Sequence, residues 1–358
     1  RLFSPWSLNV SPRARRRLAG QGIEPPDGDA CPTGGELVER VLQPLAGLPE
    51  IADRLALATR VVAVGREGLT KSDEIGTGGR AGRRFRLLVE DGSGRRRVER
   101  ADLVLDCTGS YSVKSSLGDG GIPAPGEDEA ERSGLLARRI PDLSGADRGR
   151  YAGATVLVAG SGHSAQTAVL ELAALAEDAP GTRVLWLLRR APEALRPIAD
   201  DPLPERAALM ARAGELARGA SPAVSCLAGS AVEELILDGG GRVRVVLRAA
   251  DGSTSELTVD RVLSLTGSVG DHALYRQLQV HECYATSGPM KLAAALLGES
   301  GGGGDCLAQP APGAETLRNP EPGFFILGAK SYGRNTTFLM RTGWQQVDDV
   351  FDLASNGS

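Results

Sequence analysis

The residues best suited to chemistry lie in one glycine-rich run, Gly160-Ser161-Gly162-His163-Ser164-Ala165. The run has the pattern G-x-G-x-x-A, with a short apolar segment before it and an apolar stretch of helical spacing after it. In this pattern the first glycine permits a tight turn, the second lets a pyrophosphate approach the backbone, and the alanine lets helix and strand pack closely. A helix that begins here would also offer unpaired N–H groups to a phosphate. The run therefore predicts a dinucleotide site, with a purely structural turn as the alternative.

Two arginines after the next predicted strand indicate which nicotinamide cofactor binds. The apolar residues 184–188 run directly into Arg189 and Arg190. A site for NAD usually has Asp or Glu here to bind the ribose 2′-hydroxyl, whereas arginine suits a 2′-phosphate. The pair therefore favours NADP(H) over NAD(H), the alternative being two solvent-facing arginines at the start of a loop.

The side chain of His163 lies inside the predicted turn. It could sit over a phosphate or near the nicotinamide, or it could simply be a polar residue of the helix cap. A second group of metal-ligating types, His281, Cys283 and Cys306, lacks a zinc spacing and a fourth ligand, so the sequence predicts no metal.

The chain has five cysteines, an odd number, at wide spacing and with no C-x-x-C. This usage is typical of reduced thiols in the cytoplasm rather than of a disulfide framework. Cys306 could be a redox thiol, but without a neighbouring partner a buried cysteine is the simpler interpretation.

Length and charge narrow the class of protein further. A chain of 358 residues suits two domains better than one, and a net charge of −4 indicates neither a nucleic-acid nor a membrane surface. No apolar run reaches the ~18 residues of a membrane span, and no signal-peptide pattern opens the chain. We therefore expect a cytoplasmic protein.

Periodicity predicts strands and helices over most of the chain. Thr33 and Glu36 have the spacing of a capping box, and Pro44 is expected to kink or end the helix that they begin. Residues 112–150, rich in Gly, Pro and charge, are expected to be a long connection. The predicted strands are 60–65, 85–90, 97–100, 101–107, 155–159, 183–188, 232–237, 243–249, 256–264 and 324–327, and the predicted helices are 35–48, 163–177, 203–218 and 336–353.

Two Thr-Gly pairs suggest how the domains are connected. Thr108-Gly109 and Thr266-Gly267 each end a predicted strand, and they bracket the central strand–turn–helix unit almost symmetrically. This arrangement is expected if one domain is inserted into another, with one strand leading out and another leading back.

These features together resemble the flavoproteins with two dinucleotide-binding domains. The glycine-rich run, the two Thr-Gly turns and the C-terminal Gly-Phe-Phe-Ile-Leu-Gly at 323–328 are similar to the flavin-containing monooxygenase and thioredoxin-reductase-like group. The resemblance implies an α/β fold of two Rossmann-like domains, with FAD and NADP as cofactors. The FAD domain would be 1–112 with 306–358, the connecting segment 113–149, and the inserted NADPH domain 150–305.

The resemblance also assigns cofactor contacts outside the glycine-rich run. The first Thr-Gly turn would close a strand near the flavin, and Gly328 would end the last strand facing it. In the turn that follows, a flavin or substrate contact is implied, although a solvated basic turn is the alternative for the lysine. The residues assigned in this way are Thr108, Gly109, Thr266, Gly267, Gly328, Lys330, Ser331, Tyr332 and Arg334.

The sequence departs from the family at three places. The Baeyer–Villiger-type signature F-x-G-x-x-x-H is absent between residues 110 and 153. The family's first G-x-G-x-x-G has no counterpart, so the chain is expected to be N-terminally incomplete, with roughly forty residues required ahead of Arg1. Ala329 stands where the family often has an Asp that contacts the ribityl chain.

The predicted function is that of an FAD-dependent oxidoreductase that accepts hydride from NADPH. It is expected to resemble a monooxygenase and to act on a small-molecule substrate. A homodimer is a possible assembly. The alternative is a degenerate, non-catalytic NADP(H)-binding module. A third reading, a dehydrogenase acting directly on its substrate, would need a catalytic pair such as Tyr332 and Lys330, which lie far along the sequence from the glycine-rich run.

Overall fold

The computed structural model describes residues 2–195, 198, 201–299 and 313–356. The chain forms two compact units. Unit 1 comprises Arg1–Val113 and Val269–Ser358, and unit 2 comprises Lys114–Ser268. Since the chain leaves unit 1 once and returns once, unit 2 is an insertion within the sequence of unit 1.

Strands and helices alternate along the described chain. The strands are β1 Thr59–Arg66, β2 Phe85–Asp91, β3 Arg96–Ala101, β4 Val104–Asp106, β5 Val113–Lys114, β6 Leu136–Ala137, β7 Thr155–Ala159, β8 Arg183–Leu188, β9 Val224–Ala228, β10 Ser230–Leu237, β11 Val243–Ala249, β12 Thr254–Val259, β13 Arg261–Ser264, β14 Ser268–Val269, β15 Glu282–Cys283, β16 Gly288–Pro289 and β17 Phe324–Ile326. The helices are α1 Trp6–Asn9, α2 Pro12–Gly20, α3 Gly34–Leu37, α4 Gln43–Ala46, α5 Pro49–Ala52, α6 Glu127–Arg132, α7 Arg148–Tyr151, α8 His163–Asp178, α9 Pro204–Ala217, α10 Met290–Glu299 and α11 Met340–Asn356. A π-helical turn, Val38–Leu42, joins α3 to α4, and 3-10 turns lie at Asp119–Gly121, Pro192–Ala194, Ala273–Tyr275, Ala314–Leu317 and Gly328–Tyr332.

Unit 2 is a three-layer α/β unit built on a parallel sheet. Its strand order is β6-β13-β7-β8-β9, and each neighbouring pair is parallel. Val156 and Val158 of β7 pack with α8 and α9, whereas Leu157 and Ala159 pack with the antiparallel sheet β10-β11-β12. Because successive side chains of a strand point to opposite faces, β7 is buried on both, which explains its continuous apolar sequence.

Most predicted elements of unit 2 are confirmed. One observed strand is missing from the prediction, and one predicted strand is divided. The sequence pattern does not predict β9, and the predicted strand 256–264 is two strands, β12 in the antiparallel sheet and β13 in the parallel one. They meet at Asp260, whose carboxylate accepts the Thr155 N–H at 2.7 Å and whose own N–H donates to the Thr155 carbonyl at 2.8 Å. These two bonds fix the point at which the chain passes from one sheet to the other.

The limits of the units differ from the predicted domain limits. The sequence places a connection at 113–149 and the inserted domain at 150–305, but residues 114–149 belong to unit 2 and residues 269–299 to unit 1. The reason is that β6 is the edge strand of the parallel sheet, and that the buried Glu127 accepts backbone hydrogen bonds at 2.8 and 2.9 Å from the loop before it. A two-residue strand among polar residues has no periodicity by which a sequence could reveal it.

Unit 1 combines the antiparallel sheet β1-β2-β3 with a pair of parallel strands, β4 and β17. The predicted hairpin of β2 and β3 is confirmed. The predicted strand 101–107 is shorter, because Ala101 still pairs with Phe85 as the last residue of β3. The chain then starts a new strand, β4, in a different sheet.

The strand β17 is covered on both faces. Phe324 and Ile326 pack with side chains of the antiparallel sheet, whereas Phe325 and Leu327 pack with α10 and α11. The predicted final helix begins later than expected, at Met340 rather than at residue 336. Among the described residues, no helix has both the length and the apolar character that a membrane crossing requires.

The predicted helix 35–48 is confirmed, although it changes type along its length. Thr33 and Glu36 form the predicted capping box, each side chain accepting the backbone N–H of the other at 3.1 and 2.7 Å. Pro44 has no N–H to donate, and the N–H just before it reaches back five residues. The proline therefore lies in α4, just after the π-helical turn, instead of ending the helix.

A buried carboxylate joins three parts of unit 1. Glu321, just before β17, lies 2.6 Å from Nε of Arg66 in β1 and 3.0 Å from Nη2 of Arg80 in the β1–β2 loop. Its second oxygen accepts the Gln279 N–H at 2.7 Å. The three charged side chains are at most 1% exposed. At such burial each charge depends on the others, since an unpaired buried ion is very costly.

Replacing Glu321 by Ala is expected to lower the free energy of unfolding by about 3–5 kcal/mol, because two buried guanidinium groups lose their counter-ion. Urea unfolding followed by circular dichroism measures the change. The control is Glu315→Ala, which removes an exposed pair with Arg318 and should cost about 0–1 kcal/mol. Equal losses in the two variants would contradict the role of the buried network.

The pH dependence of stability gives an independent check on the same network. Burial alone raises the pKa of Glu321, but hydrogen bonds from Arg80, from the Gln279 backbone and from Arg66 outweigh it, so the pKa lies below its ordinary value of 4.5. The stability from this carboxylate is therefore fully present above that value and is lost as pH falls through the lowered pKa. The stability gap between wild type and Glu321→Gln should shrink in that acid range.

Candidate functional site

The glycine-rich turn follows β7 at the edge of the sheet where the parallel strands end. Gly160 has a φ of +129°, and its N–H donates to the Leu187 carbonyl at 3.3 Å. A Cβ at this position would collide with the Leu265 carbonyl and stand 3.4 Å from the Cβ of Ala165. Only glycine fits between β7 and the residue that follows β13, which is the physical reason for the first glycine of the pattern.

Two side chains hold the turn from neighbouring elements. Trp186, fully buried in β8, donates its Nε1–H to the Gly160 carbonyl at 2.8 Å. Gln166, in the first turn of α8, donates its Nε2–H to the Ser161 carbonyl at 2.9 Å. The turn is thus held by hydrogen bonds from two side chains of unit 2. The sequence pattern indicates neither of these supports.

The N-terminus of α8 is open and uncapped. The helix begins at His163 and runs for 16 residues, and its N-cap residue, Gly162, has no side chain to cap it. A Cβ on Gly162 would meet no atom within 4 Å, and Ser161 and Ser164 are exposed beside it. Unpaired N–H groups and the positive end of the helix dipole therefore face open space, where an anion would be stabilised.

Arg189 and Arg190 are exposed and come directly after β8. Since β7 and β8 are parallel neighbours, both end at the same edge of the sheet. The structure therefore places the two arginines at the edge that carries the glycine-rich turn. Their contact with a 2′-phosphate stays a prediction.

His163 is half-buried next to a buried ion pair. Burial, and then the nearby charge of Arg206, lower the pKa of His163 below its ordinary value. Arg206 itself lies 2.7 Å from the Asp201 carboxylate, with side chains that are 7% and 1% exposed. The imidazole is therefore neutral at pH 7 and supplies a polar group, not a charge, to the start of α8.

The second Thr-Gly turn has a protein partner. The hydroxyl of Thr266 donates to the Ser115 carbonyl at 2.8 Å, and the Ser115 N–H donates to the Gly267 carbonyl at 2.9 Å. These bonds tie together the segments by which the chain enters and leaves unit 2. The hydroxyl of Thr266 is thus occupied within the protein, and its cofactor contact stays a prediction.

In unit 1, Lys330 forms a buried ion pair at the ends of β4 and β17. Its Nζ lies 2.6 Å from Asp106 Oδ2, and it also donates to the Thr108 hydroxyl at 3.1 Å and to the Asp271 carbonyl at 2.7 Å. The Asp106 carboxylate also accepts the N–H and the hydroxyl of Thr108, at 3.1 and 2.7 Å. Lys330 is therefore not a solvated basic residue, and its described contacts leave little capacity for a cofactor.

The two glycines at these strand ends leave open space. A Cβ on Gly109 or on Gly328 would meet no atom within 4 Å. The Gly328 N–H donates to Oε1 of the buried Gln346 in α11 at 2.7 Å, and the Gln346 Nε2–H reaches the Ser331 hydroxyl at 2.9 Å. The backbone here is held from behind by α11 and is open in front. A flat group could lie against it, so the open backbone fits a flavin better than the Lys330 side chain does.

The remaining two predicted contacts of this turn have different surroundings. Tyr332 is buried, with its ring 5.4 Å from that of Phe338, whereas Arg334 is exposed. The backbone N–H of Arg334 donates to the Thr286 carbonyl at 2.8 Å. Tyr332 therefore belongs to the apolar packing around α11, and only Arg334 presents its side chain outward.

A cluster of three titratable side chains lies next to Lys330. The sequence does not indicate this cluster. Tyr275, His272 and Glu282 are mutually hydrogen-bonded, and the Tyr275 ring centroid lies 4.9 Å from Lys330 Nζ. Burial and the bond to Glu282 raise the pKa of the Tyr275 hydroxyl. Burial alone raises the pKa of Glu282, but bonds from His272 and Tyr275 reverse the shift and lower it. The cluster therefore holds a protonated phenol against an ionised carboxylate at pH 7.

Four of the five cysteines lie in the described part of the chain. Cys107, Cys226 and Cys283 are free thiols, Cys31 donates its Sγ–H to the Phe3 carbonyl at 3.6 Å, and burial raises the pKa of both Cys107 and Cys226. Cys306 and the glycine-rich segment 300–304 lie outside the described residues. Within the described ranges, no group of three or more His, Cys, Asp or Glu side chains is arranged to hold a metal ion.

The parallel sheet and its glycine-rich turn give unit 2 a Rossmann-like fold, inserted in sequence into a second α/β unit. No protein-family model and no curated protein matches the chain. Solved structures of flavoproteins do match the chain, and they show which kind of two-domain fold it has.

The chain is similar to bacillithiol disulfide reductase Bdr (YpdA) from Bacillus cereus, at 18% identity over 99% of this chain and 88% of that one, with a TM-score of 0.58. It is also similar to the ornithine N-hydroxylase KtzI of Kutzneria sp. 744, at 14% identity over 97% and 81%, with a TM-score of 0.54. Thioredoxin reductase of T. acidophilum follows at 14% identity, over 88% and 81%, with a TM-score of 0.51. The chain has the fold of the two-domain FAD- and NAD(P)-binding flavoproteins, which confirms the expected fold class.

Gly160→Ala is expected to lower the free energy of unfolding by about 2–4 kcal/mol, because the new Cβ collides with the Leu265 carbonyl at a strained φ. Thermal unfolding measures the loss. The matched control is Gly162→Ala, two residues away, where φ is −75° and the Cβ meets nothing. A Gly160→Ala protein as stable as the control would contradict the close approach described here.

Lys330→Met is expected to destabilise the protein by about 3–5 kcal/mol, since the Asp106 carboxylate would remain buried without its counter-ion. Lys330→Met with Asp106→Asn should recover most of the loss, because the amide oxygen still accepts the Thr108 N–H. Urea unfolding distinguishes the two. The control, Lys291→Met, alters an exposed lysine of α10. If Lys330→Met behaved like this control, the buried pair would not contribute to stability.

Proposed function

We propose that the chain is an FAD-dependent oxidoreductase that accepts reducing equivalents from NADPH, monooxygenase-like and acting on a small-molecule substrate. The observation that carries the proposal is the preformed glycine-rich turn with its uncapped helix, at the same sheet edge as Arg189 and Arg190, within a flavoprotein fold.

The fit to NADP(H) comes from the shape and charge of this edge. The pyrophosphate would lie against the backbone at Gly162, where a Cβ would meet no protein atom and where the N–H groups of α8 converge. The 2′-phosphate would be held by Arg189 and Arg190, whose guanidinium groups match phosphate geometry. The neutral His163 would offer a hydrogen bond beside the phosphates without adding a charge.

The fit to FAD comes from the strand ends of unit 1. The open backbone at Gly109 and Gly328 would bound the flavin, and Gln346 would keep the second of these segments in place from behind. The Tyr275–His272–Glu282 cluster and the Lys330–Asp106 pair would set the local charge and hold protons at defined atoms. When bound, FAD would supply hydride acceptance from NADPH and electron transfer to oxygen or to another acceptor.

Two observations concern the molecule that finally accepts the electrons from the flavin. The sequence has no C-x-x-C, so an internal dithiol of that spacing is not the expected route for electrons. Similar structures include an N-hydroxylase, whose structure is described as holding reduced FAD, NADP+ and L-ornithine, and a disulfide reductase. A diffusible small molecule as final acceptor agrees with both observations.

A second candidate function is a non-catalytic NADP(H)-binding module. The observation that favours it is that Lys330, Thr108 and Asp106 satisfy one another, so that the side chains expected to meet a flavin are already engaged. Ala329, which replaces the expected Asp, also favours the non-catalytic module.

The visible spectrum of the purified protein separates these two functions. A flavin absorption that bleaches on addition of NADPH, faster than with NADH, is the expected result. A colourless protein that still binds NADPH, measured by fluorescence, would instead support the binding module. A protein that binds neither nucleotide would refute the assignment of the glycine-rich turn.

Arg189→Ala is expected to weaken NADPH binding by roughly tenfold while leaving NADH binding unchanged, because one charged hydrogen bond to the 2′-phosphate is lost. Arg190→Ala should act in the same direction. The control is Arg183→Ala, which changes an exposed arginine at the opposite end of the same strand, β8. Dissociation constants for both nucleotides measure the effect. Equal weakening of NADPH and NADH would argue against recognition of the 2′-phosphate.

A further inference from the structure

Unit 1 contains a cavity of about 790 Å³. The β1–β2 loop forms one wall, with Lys71 and Ile75, and the segment after the 3-10 turn Ala273–Tyr275 forms the other, with Gln277, Val280 and His281. A cavity of this size holds a drug-sized organic molecule, since such sites usually measure about 300–1,000 Å³. Nothing in the proposed flavoprotein chemistry accounts for it.

Two side chains, the buried Arg80 and the half-buried Gln279, hold both walls in place. Arg80 donates its Nη1–H groups to the Thr70 and Asp73 carbonyls, each at 2.9 Å, and it is itself paired with Glu321. Gln279 connects the opposite wall to the same loop, since its Nε2–H groups reach the Lys71 and Asp73 carbonyls at 2.8 and 2.9 Å. The loop is therefore held by hydrogen bonds from within unit 1.

The lining of the cavity is apolar with a positive charge. Among the described residues that line it, none is acidic, and Lys71 and His281 both contribute to the lining. The carboxylate of Asp73, close by in sequence, is engaged by the N–H and the hydroxyl of Thr70 at 2.7 and 2.8 Å. Ile75 leaves 70% of its side chain exposed beside the opening. Ile75 therefore adds apolar surface beside the opening, which suits the apolar part of an organic ligand.

We propose that this cavity binds a small organic carboxylate with a flat apolar body. The body would lie against Ile75 and Val280, and the carboxylate would pair with Lys71. The amide of Gln277 would supply a further hydrogen bond at the rim. This site lies in unit 1, whereas the proposed NADPH turn lies in unit 2, so the two proposals can fail separately.

The test uses the full chain, with 2-naphthoate as the probe and 2-naphthamide as its neutral counterpart. Isothermal titration calorimetry is expected to show 2-naphthoate binding roughly tenfold more tightly than the amide, because only the acid pairs with Lys71. Lys71→Gln should bring the two probes to similar affinity. Lys291→Gln, an exposed lysine in the same unit, is the matched control and should leave the difference intact.

A second variant tests the location of the site rather than its charge. Gln277→Trp places a large ring in the cavity from an exposed position, so the fold should be kept while both probes lose binding. NADPH binding, measured on the same variants, should not change. Undiminished binding of 2-naphthoate to Gln277→Trp, equal binding of acid and amide to the wild type, or no binding at all would each overturn the proposal.

Discussion

The close approach of the chain at Gly160 to the Leu265 carbonyl is the constraint on which the candidate dinucleotide site depends. It brings the end of β7 against the residue after β13, and it thereby fixes where α8 must begin. Trp186 and Gln166 then hold the turn through its carbonyls. The N–H groups of α8 consequently face outward at the sheet edge, together with the arginines that follow β8. The proposed phosphate site would therefore result from backbone packing, with side chains adding selectivity.

The strand ends of unit 1 differ from those of unit 2, because they carry buried charges rather than an open helix terminus. Lys330, Asp106 and Thr108 satisfy one another, and Glu321 does the same for Arg66 and Arg80. Such networks are costly to break and fix geometry well. The open backbone at the glycines next to the first network is thus presented by a rigid base. This rigidity is what a flat, redox-active ligand would need in order to be held in one orientation.

The same buried Glu321 network links the fold to the cavity proposed as a carboxylate site. Arg80 and Gln279, which contact Glu321, also hold the two walls of that cavity. The stability of unit 1 and the shape of this cavity therefore depend on the same ion pairs. In unit 2 no comparable coupling is required, since the glycine-rich turn is held by uncharged hydrogen bonds.

Local sequence determined much of this protein: the G-x-G-x-x-A turn, the capping box at Thr33, the β2–β3 hairpin and the apolar strands β7 and β8. Each is a pattern of neighbouring residues, and a window of the chain contains all the information that specifies it. Tertiary structure alone decided the rest. The parallel edge strand β6 and the split at Asp260 depend on partners more than a hundred residues away, Val262 and Thr155. Likewise, the sequence presents Lys330 as a basic residue in a turn, but its burial against Asp106, 224 positions earlier, makes it an internal counter-ion. Whether a charge faces solvent or a carboxylate is set by which distant segments pack together, and no local pattern carries that information.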